Sequence, residues 1–136
     1  MVCVWVYDGN GKILLTRRAK GKSFAGTWEN SGGAAKAGES SRQAIVRELR
    51  EETGIQAEAG EFRLLRSERE GSYFYDHYCL RRPVKLEELT LLPGETDDAQ
   101  WVDFDRIHEM IRSGEICAVI GKQFLLEESM LRQLNC

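Results

Sequence analysis

The chain has 136 residues, 42% hydrophobic and 30% charged, with 19 Lys+Arg against 22 Asp+Glu. That length suits one domain with a substantial core, since chains of about 150 residues hide roughly 70% of their unfolded surface, and residues 1–136 are expected to form a single domain. The net charge of −3 argues against a nucleic-acid-binding face dense in Lys and Arg, the apolar content argues against disorder, and no apolar run approaches the ~20 residues of a membrane helix.

Met1–Asp8 is apolar but short and lacks a basic leader, so it is not expected to be a signal peptide. Residues 2–7 and 12–18 are aliphatic and β-branched and flank Gly9-Asn10-Gly11, which predicts a hairpin. Residues 19–33, with their glycines and polar residues, read mostly as loop. A helix is predicted over 41–53, because Ser40 and Gln43 form a capping-box pattern and Gly54 supplies a left-handed stop. Strand-like segments follow near 56–59, 62–69 and 73–80, the third rich in aromatics. Ala99–Val102 predicts a last short strand, and Asp103 caps a helix over 104–112. An amphipathic helix over 120–134 offers Phe124, Leu125, Leu131 and Leu134 to the core. This order of elements predicts an α/β (α+β) fold, a mixed sheet with helices on its faces. The cysteines, Cys3, Cys79, Cys117 and Cys136, are far apart with no Cys-x-x-Cys pair. They predict reduced thiols in a cytoplasmic protein, neither a zinc site nor a disulfide framework.

The predicted helix 41–53 carries the chemistry. Glu48, Glu51 and Glu52 stand at i, i+3 and i+4 and share an arc of about 100°. Ile45 and Leu49 take the adjoining arc and can face a sheet. Like charges at this spacing cost a helix a few tenths of a kcal/mol, about 0.2–0.5 per pair. A hard divalent cation such as Mg²⁺ or Mn²⁺ would offset that cost with its preference for oxygen ligands. Three glutamates alone more often mark a solvated acidic face, since such faces are common on helices.

The flanking residues narrow the choice. Gly33, Glu39, Arg47, Glu48, Leu49, Glu51, Glu52, Gly54 and Ile55 fit the pattern G-x5-E-x7-R-E-U-x-E-E-x-G-U, with U aliphatic, at every position. On ordinary composition the joint chance is roughly one in 10⁸ per start position. The stretch resembles the Nudix box, and the chain is identified as a member of the Nudix hydrolase (MutT-like) superfamily. The resemblance implies a Nudix-type α/β/α sandwich with a catalytic loop-helix-loop. It also implies metal-dependent hydrolysis of the pyrophosphate bond in a nucleoside diphosphate linked to another moiety, by water attack on phosphorus. Mg²⁺ or Mn²⁺ is the implied cofactor, a nucleotide-type small molecule the implied partner, and a homodimer an option frequent in the family.

Carried over position by position, Glu48, Glu51 and Glu52 match the metal ligands, and Gly33 matches a residue whose carbonyl reaches metal. Arg47 matches an orienting residue, able to pair with Glu51 or to fold back on Glu39; Glu39 is expected to support the site without touching metal. The general base is left among Glu48, Glu52 and a loop acid, for which Glu95 is the first candidate and Asp98 the second. Arg17 and Arg18 end the second predicted strand, and alternation sends them to opposite faces, so at most one is expected to meet phosphate. Trp28 and Phe24 are candidates for stacking a base, with packing favoured; Tyr73, Tyr75 and Tyr78 share that ambiguity. Lys20 and Lys22 are expected as surface charges, and His77 and His108 as structural or exposed. Ser31-Gly32-Gly33 stands where many members have Pro-Gly-Gly. Two other functions are carried forward. An isopentenyl-diphosphate isomerase shares the fold, and Trp28-Glu29-Asn30 mildly resembles it, but its chemistry needs a cysteine near the loop before the box. A non-catalytic nucleotide-sensing module is the other; such modules often lose box glutamates that are all present here.

Overall fold

Val2–Tyr7 form strand β1, and all six residues are buried. A strand loses its polar alternation in this way when both faces of its sheet are covered. Val2, Val4 and Val6 join one apolar cluster, and Trp5 and Tyr7 join another on the opposite face. The computed structural model describes residues 1–135; Cys136 lies outside the described residues. The other strands are β2 (Lys12–Arg18), β3 (Trp28–Glu29), β4 (Ser31–Gly33), β5 (Arg63–Glu70), β6 (Tyr73–Arg81) and β7 (Thr96–Asp103). They form one seven-stranded sheet with the path β3-β2-β1-β6-β5, β4 pairing with β1 and β7 with β2. The β1–β6 ladder is parallel and the rest are antiparallel, so the sheet is mixed as expected.

Helix α1 (Ser41–Thr53) packs Ala44, Ile45 and Leu49 on the Val2/Val4/Val6 face. Helices α2 (Phe104–Ser113) and α3 (Ala118–Leu134) cover the Trp5/Tyr7 face with Ile107, Met110, Phe124 and Leu131. This is the α/β/α layering the box implies. The caps fall where the sequence places them: the Ser40–Gln43 capping box is formed, Gly54 takes φ 79°, and Asp103 accepts from the Arg106 amide. The β1–β2 hairpin turns through Gly9 and Gly11, at φ 86° and 91°. Asn135 Oδ1 ties that turn down, accepting from both amides at 2.7 and 3.2 Å.

Several expectations are corrected. Residues 56–59 form no strand; the segment enters a 3₁₀ turn at Ala59–Glu61, where Arg42 caps the Ala59 and Phe62 carbonyls. Within the expected loop 19–33, β3 and β4 form, and β4 runs along β1 with Cys3 opposite Gly32. The last strand is twice the expected length, because β7 pairs along all of β2. In α3 the buried seam is Ile120, Phe124, Glu127 and Leu131, at spacings of four, three and four. Leu125, one residue off that seam, is 51% exposed and leaves the core; Leu134 packs at its margin.

Candidate active site

The β1–β4 pairing delivers the double glycine to the Glu48 face of α1. A side chain at Gly32 would strike the β1 backbone, and one at Gly33 would meet the Glu48 carboxyl carbon at 2.5 Å. Only glycine lets main chain and carboxylate approach this closely. Arg47 organises the acids around it. Its Nε and Nη2 donate to the two Glu39 oxygens at 2.6 and 2.9 Å, its Nη1 to Glu48 at 3.0 Å and Glu51 at 3.2 Å, and Nη2 also to the Ala34 carbonyl at 3.1 Å. Arg47 therefore makes both of the contacts the sequence left open. The guanidinium holds the Glu39 carboxyl well below its usual range, at about 2, aided by the Lys36 amide.

Glu52 has no such partner. Burial first, then the charges of Glu29 and Glu48, push its carboxyl up to about 8. Among the described residues no three His, Cys, Asp or Glu side chains converge as a closed cation cage. The donor set nonetheless fits a hard cation: carboxylates stand beside an exposed glycine backbone, and at Glu52 a cation would favour the ionised form that burial and its neighbours' charges oppose. Mg²⁺ in particular takes only one or two carboxylates and fills its shell with water and phosphate oxygens.

Gly33 and Glu52 open onto a cleft of about 280 Å³. Arg18, Lys22, Glu29, Asn30 and Glu95 also line it, as do Phe24, Tyr75, Cys117, Val119 and Ile120. Arg18 donates to Glu29 at 3.1 Å and to the Ser23 carbonyl at 2.7 Å, while Lys22 pairs with Glu95. Lys22, expected as a plain surface charge, is thus a wall of the cleft. Phe24, for which packing was favoured, is 70% exposed at the cleft mouth with φ 55°. Arg17 and Trp28 are not brought to the cleft: Arg17 donates to Asp97 at 2.7 Å and lies 5.6 Å from the Trp28 ring centre, and Trp28 packs beside the core. Asp98 stands with them, 3.9 Å from Arg17. His77 is buried and structural, its Nδ1 3.2 Å from Glu127; His108 is half-buried against Glu128. Of the tyrosines, Tyr73 is exposed, Tyr78 is core, and only Tyr75 reaches the cleft. Sequence reasoning named Glu29 and Asn30 only within Trp28-Glu29-Asn30 and gave neither a place in the site, although both line the cleft.

A mixed sheet between helices, with an arginine-braced acidic helix entered through a double-glycine strand, defines a Nudix-type fold and site. Residues 1–117 match the family model described as NUDIX domain, and the chain belongs to the Nudix family. CTP pyrophosphohydrolase of Escherichia coli K12 is 51% identical over 57 residues, which take in 42% of this chain and 42% of that enzyme. An uncharacterized Nudix hydrolase of Listeria innocua, lin0387, is 31% identical over 117 residues, 85% of this chain and 69% of its own length. The solution structure of the E. coli ORF135 protein superimposes with a TM-score of 0.63 at 31% identity, over 96% of this chain and 88% of that one. An isopentenyl-diphosphate Delta-isomerase of Cutibacterium acnes is 30% identical over 122 residues, 79% of this chain and 61% of that enzyme.

Proposed function

We propose that this protein hydrolyses the pyrophosphate bond of a nucleoside diphosphate linked to another group, with water attacking phosphorus in the cleft beside Gly33 and Glu52. The observation that carries the reading is the complete acidic set on α1, braced by Arg47 and opening through Glu52 onto a cleft that also holds Arg18 and Lys22. Glu48, Glu51, Glu52 and the Gly33 carbonyl are the groups assigned to hold Mg²⁺ or Mn²⁺. Such an ion, when bound, offsets phosphate charge, orients the diphosphate and lowers the pKa of a water. Arg47 keeps Glu48 and Glu51 in fixed rotamers, and Glu39 holds Arg47 in turn. Arg18 and Lys22 supply positive charge for the phosphates; each must exchange its carboxylate partner, Glu29 or Glu95, for substrate oxygens. The proton from the attacking water goes to Glu48, Glu52 or Glu95. Glu95 lines the cleft but becomes a free base only once Lys22 has turned to phosphate. The cytoplasmic setting expected from the cysteines belongs to the same proposal.

One observation keeps the isomerase as a second reading. In sequence no cysteine is near the loop before the box, yet Cys3 lies opposite Gly32 in the sheet and lines the cleft. Burial pushes its thiol up to about 12, a poor match for proton transfer at neutral pH. Glu52→Gln decides against a binding module: turnover of nucleoside triphosphates in Mg²⁺ is expected to fall by orders of magnitude with an unchanged melting temperature. Wild-type turnover of isopentenyl diphosphate, but of no nucleotide, would instead install the isomerase. For the hydrolase, rates rise from mildly acid to alkaline pH as the water or its base deprotonates.

A further inference from the structure

The cleft lining divides by chemistry. Arg18, Lys22 and Glu52 are charged; Phe24, Tyr75 and Val119 are aromatic or apolar. Asn30 belongs to the same lining but to neither group. It sits between β3 and β4, is only 4% exposed, and its Nδ2 makes no hydrogen bond beyond a weak interaction with the Cys3 thiol. Buried amide nitrogens are rarely left in this state. Among the described residues only His77 Nε2 and Arg82 Nε share it, and neither lines the cleft. The Cys3 thiol beside Asn30 is a weak acceptor, and its sulfur already lies 3.3 Å from His77 Nδ1. The terminal torsion of asparagine is broad, so the amide can turn toward a ligand without disturbing the backbone.

We propose that Asn30 reads the base of the nucleotide, exchanging its weak contact with the Cys3 thiol for a hydrogen bond to a carbonyl oxygen on the base edge, while Phe24 and the face of Tyr75 not stacked on His77 are offered to the ring. The substrate class is a nucleotide whose base carries such a carbonyl, as cytosine, uracil and guanine do and adenine does not. A neutral donor in a buried position suits a neutral acceptor; phosphate oxygens are matched by Arg18 and Lys22. Pockets of this kind set specificity with few polar groups among apolar ones. A site built around a donor discriminates against ligands that leave it unmatched. This assignment deepens the hydrolase reading and rests on it.

The test is kcat and KM in Mg²⁺ for CTP, UTP, GTP and ATP, on wild type, Asn30→Ala and Asn30→Asp, with melting temperatures alongside. Wild type is expected to favour the three carbonyl-bearing substrates. Asn30→Ala should raise KM for them by about tenfold, the worth of roughly one hydrogen bond, with kcat nearly unchanged and ATP unaffected. Asn30→Asp, close to isosteric, replaces donor by acceptor and should abolish the preference of the three carbonyl-bearing substrates over ATP. A uniform loss on all four nucleotides, or a change in kcat alone, overturns the assignment, as does an unaltered base preference in folded variants. Should wild type turn over none of the four, nor other pyrophosphate-linked nucleotides, the hydrolase reading falls and takes this assignment with it.

Discussion

Arg47 is the residue on which the acidic face of α1 turns. A guanidinium offers a planar fork of donors, and here the fork grips both oxygens of Glu39 while its remaining nitrogen reaches Glu48 and Glu51. A lysine supplies the same charge but no fork. Arg47→Lys should therefore weaken the apparent Mg²⁺ affinity, or the activity at limiting Mg²⁺, by about 10–100-fold, the usual cost of losing a group that orients a metal ligand. Mg²⁺ titration of turnover measures it; a lysine variant with wild-type Mg²⁺ dependence would remove Arg47 from its positioning role. Glu39 carries an acid-side consequence. Its folded pKa lies below its unfolded value, so its stabilising effect is full above the ordinary carboxylate range and is lost as pH falls toward about 2.

At the scale of elements, the short strand β4 does two separate jobs through adjacent glycines. Gly32 faces backbone: an added Cβ there collides with the carbonyl of Val2, and the β1–β4 ladder must move. At Gly33 the nearest atoms an added Cβ would meet belong to the flexible end of Glu48. Gly32→Ala is therefore expected to lower the melting temperature clearly, whereas Gly33→Ala should leave it near wild type and abolish most turnover by displacing Glu48. Thermal melts and rates on the two variants check the contrast; equal melts would contradict it. The same strand explains why 19–33 could not be read as anything but loop. Two- and three-residue strands carry no alternation, and their existence depends on an edge offered by β1 and β2. The converse holds for residues 56–59, whose strand-like composition pairs with no strand and leads into a 3₁₀ turn held by Arg42.

Across the whole molecule, one buried carboxylate joins three strands to the last helix. Glu127, on α3 and fully buried, accepts from Trp5 Nε1 at 2.8 Å and Arg66 Nη2 at 3.0 Å, and lies 3.2 Å from His77 Nδ1. Glu127→Ala strands those partners and should cost about 3–5 kcal/mol, as breaking a buried pair does; the urea midpoint reports it. Two pH slopes also act on the fold. Burial pushes the His77 pKa down, so the unfolded chain binds the extra proton and stability falls as pH drops below about 6.5. Glu52 works in the other sense. Its pKa rises from 4.5 to about 8, so the fold holds the extra proton and stability falls as pH climbs through that window. Glu29, also raised by burial, acts in the same sense as Glu52. In EDTA the melting temperature should decline between the histidine range and about pH 8, and Mg²⁺, by binding the carboxylate form, should flatten the decline. Identical melting curves in EDTA and Mg²⁺ across that window would count against a cation at Glu52.

The sequence alone determined the features that depend on near neighbours in the chain. The span of α1 followed from Ser40, Gln43 and Gly54, the hairpin from Gly9-Asn10-Gly11, and the acidic arc from a spacing of three and four residues. Each rests on contacts within one or two turns of backbone, and those are written in order along the chain. Tertiary structure decided which distant segments share a wall. It set Cys3 beside Gly32, sent Arg18 into the cleft and Arg17 out to Asp97, exposed Phe24, and chose the α3 seam that buries Glu127 in place of Leu125. Those outcomes depend on which strand edge and which helix face each segment finds open, a competition among partners far apart in the chain that no local pattern records.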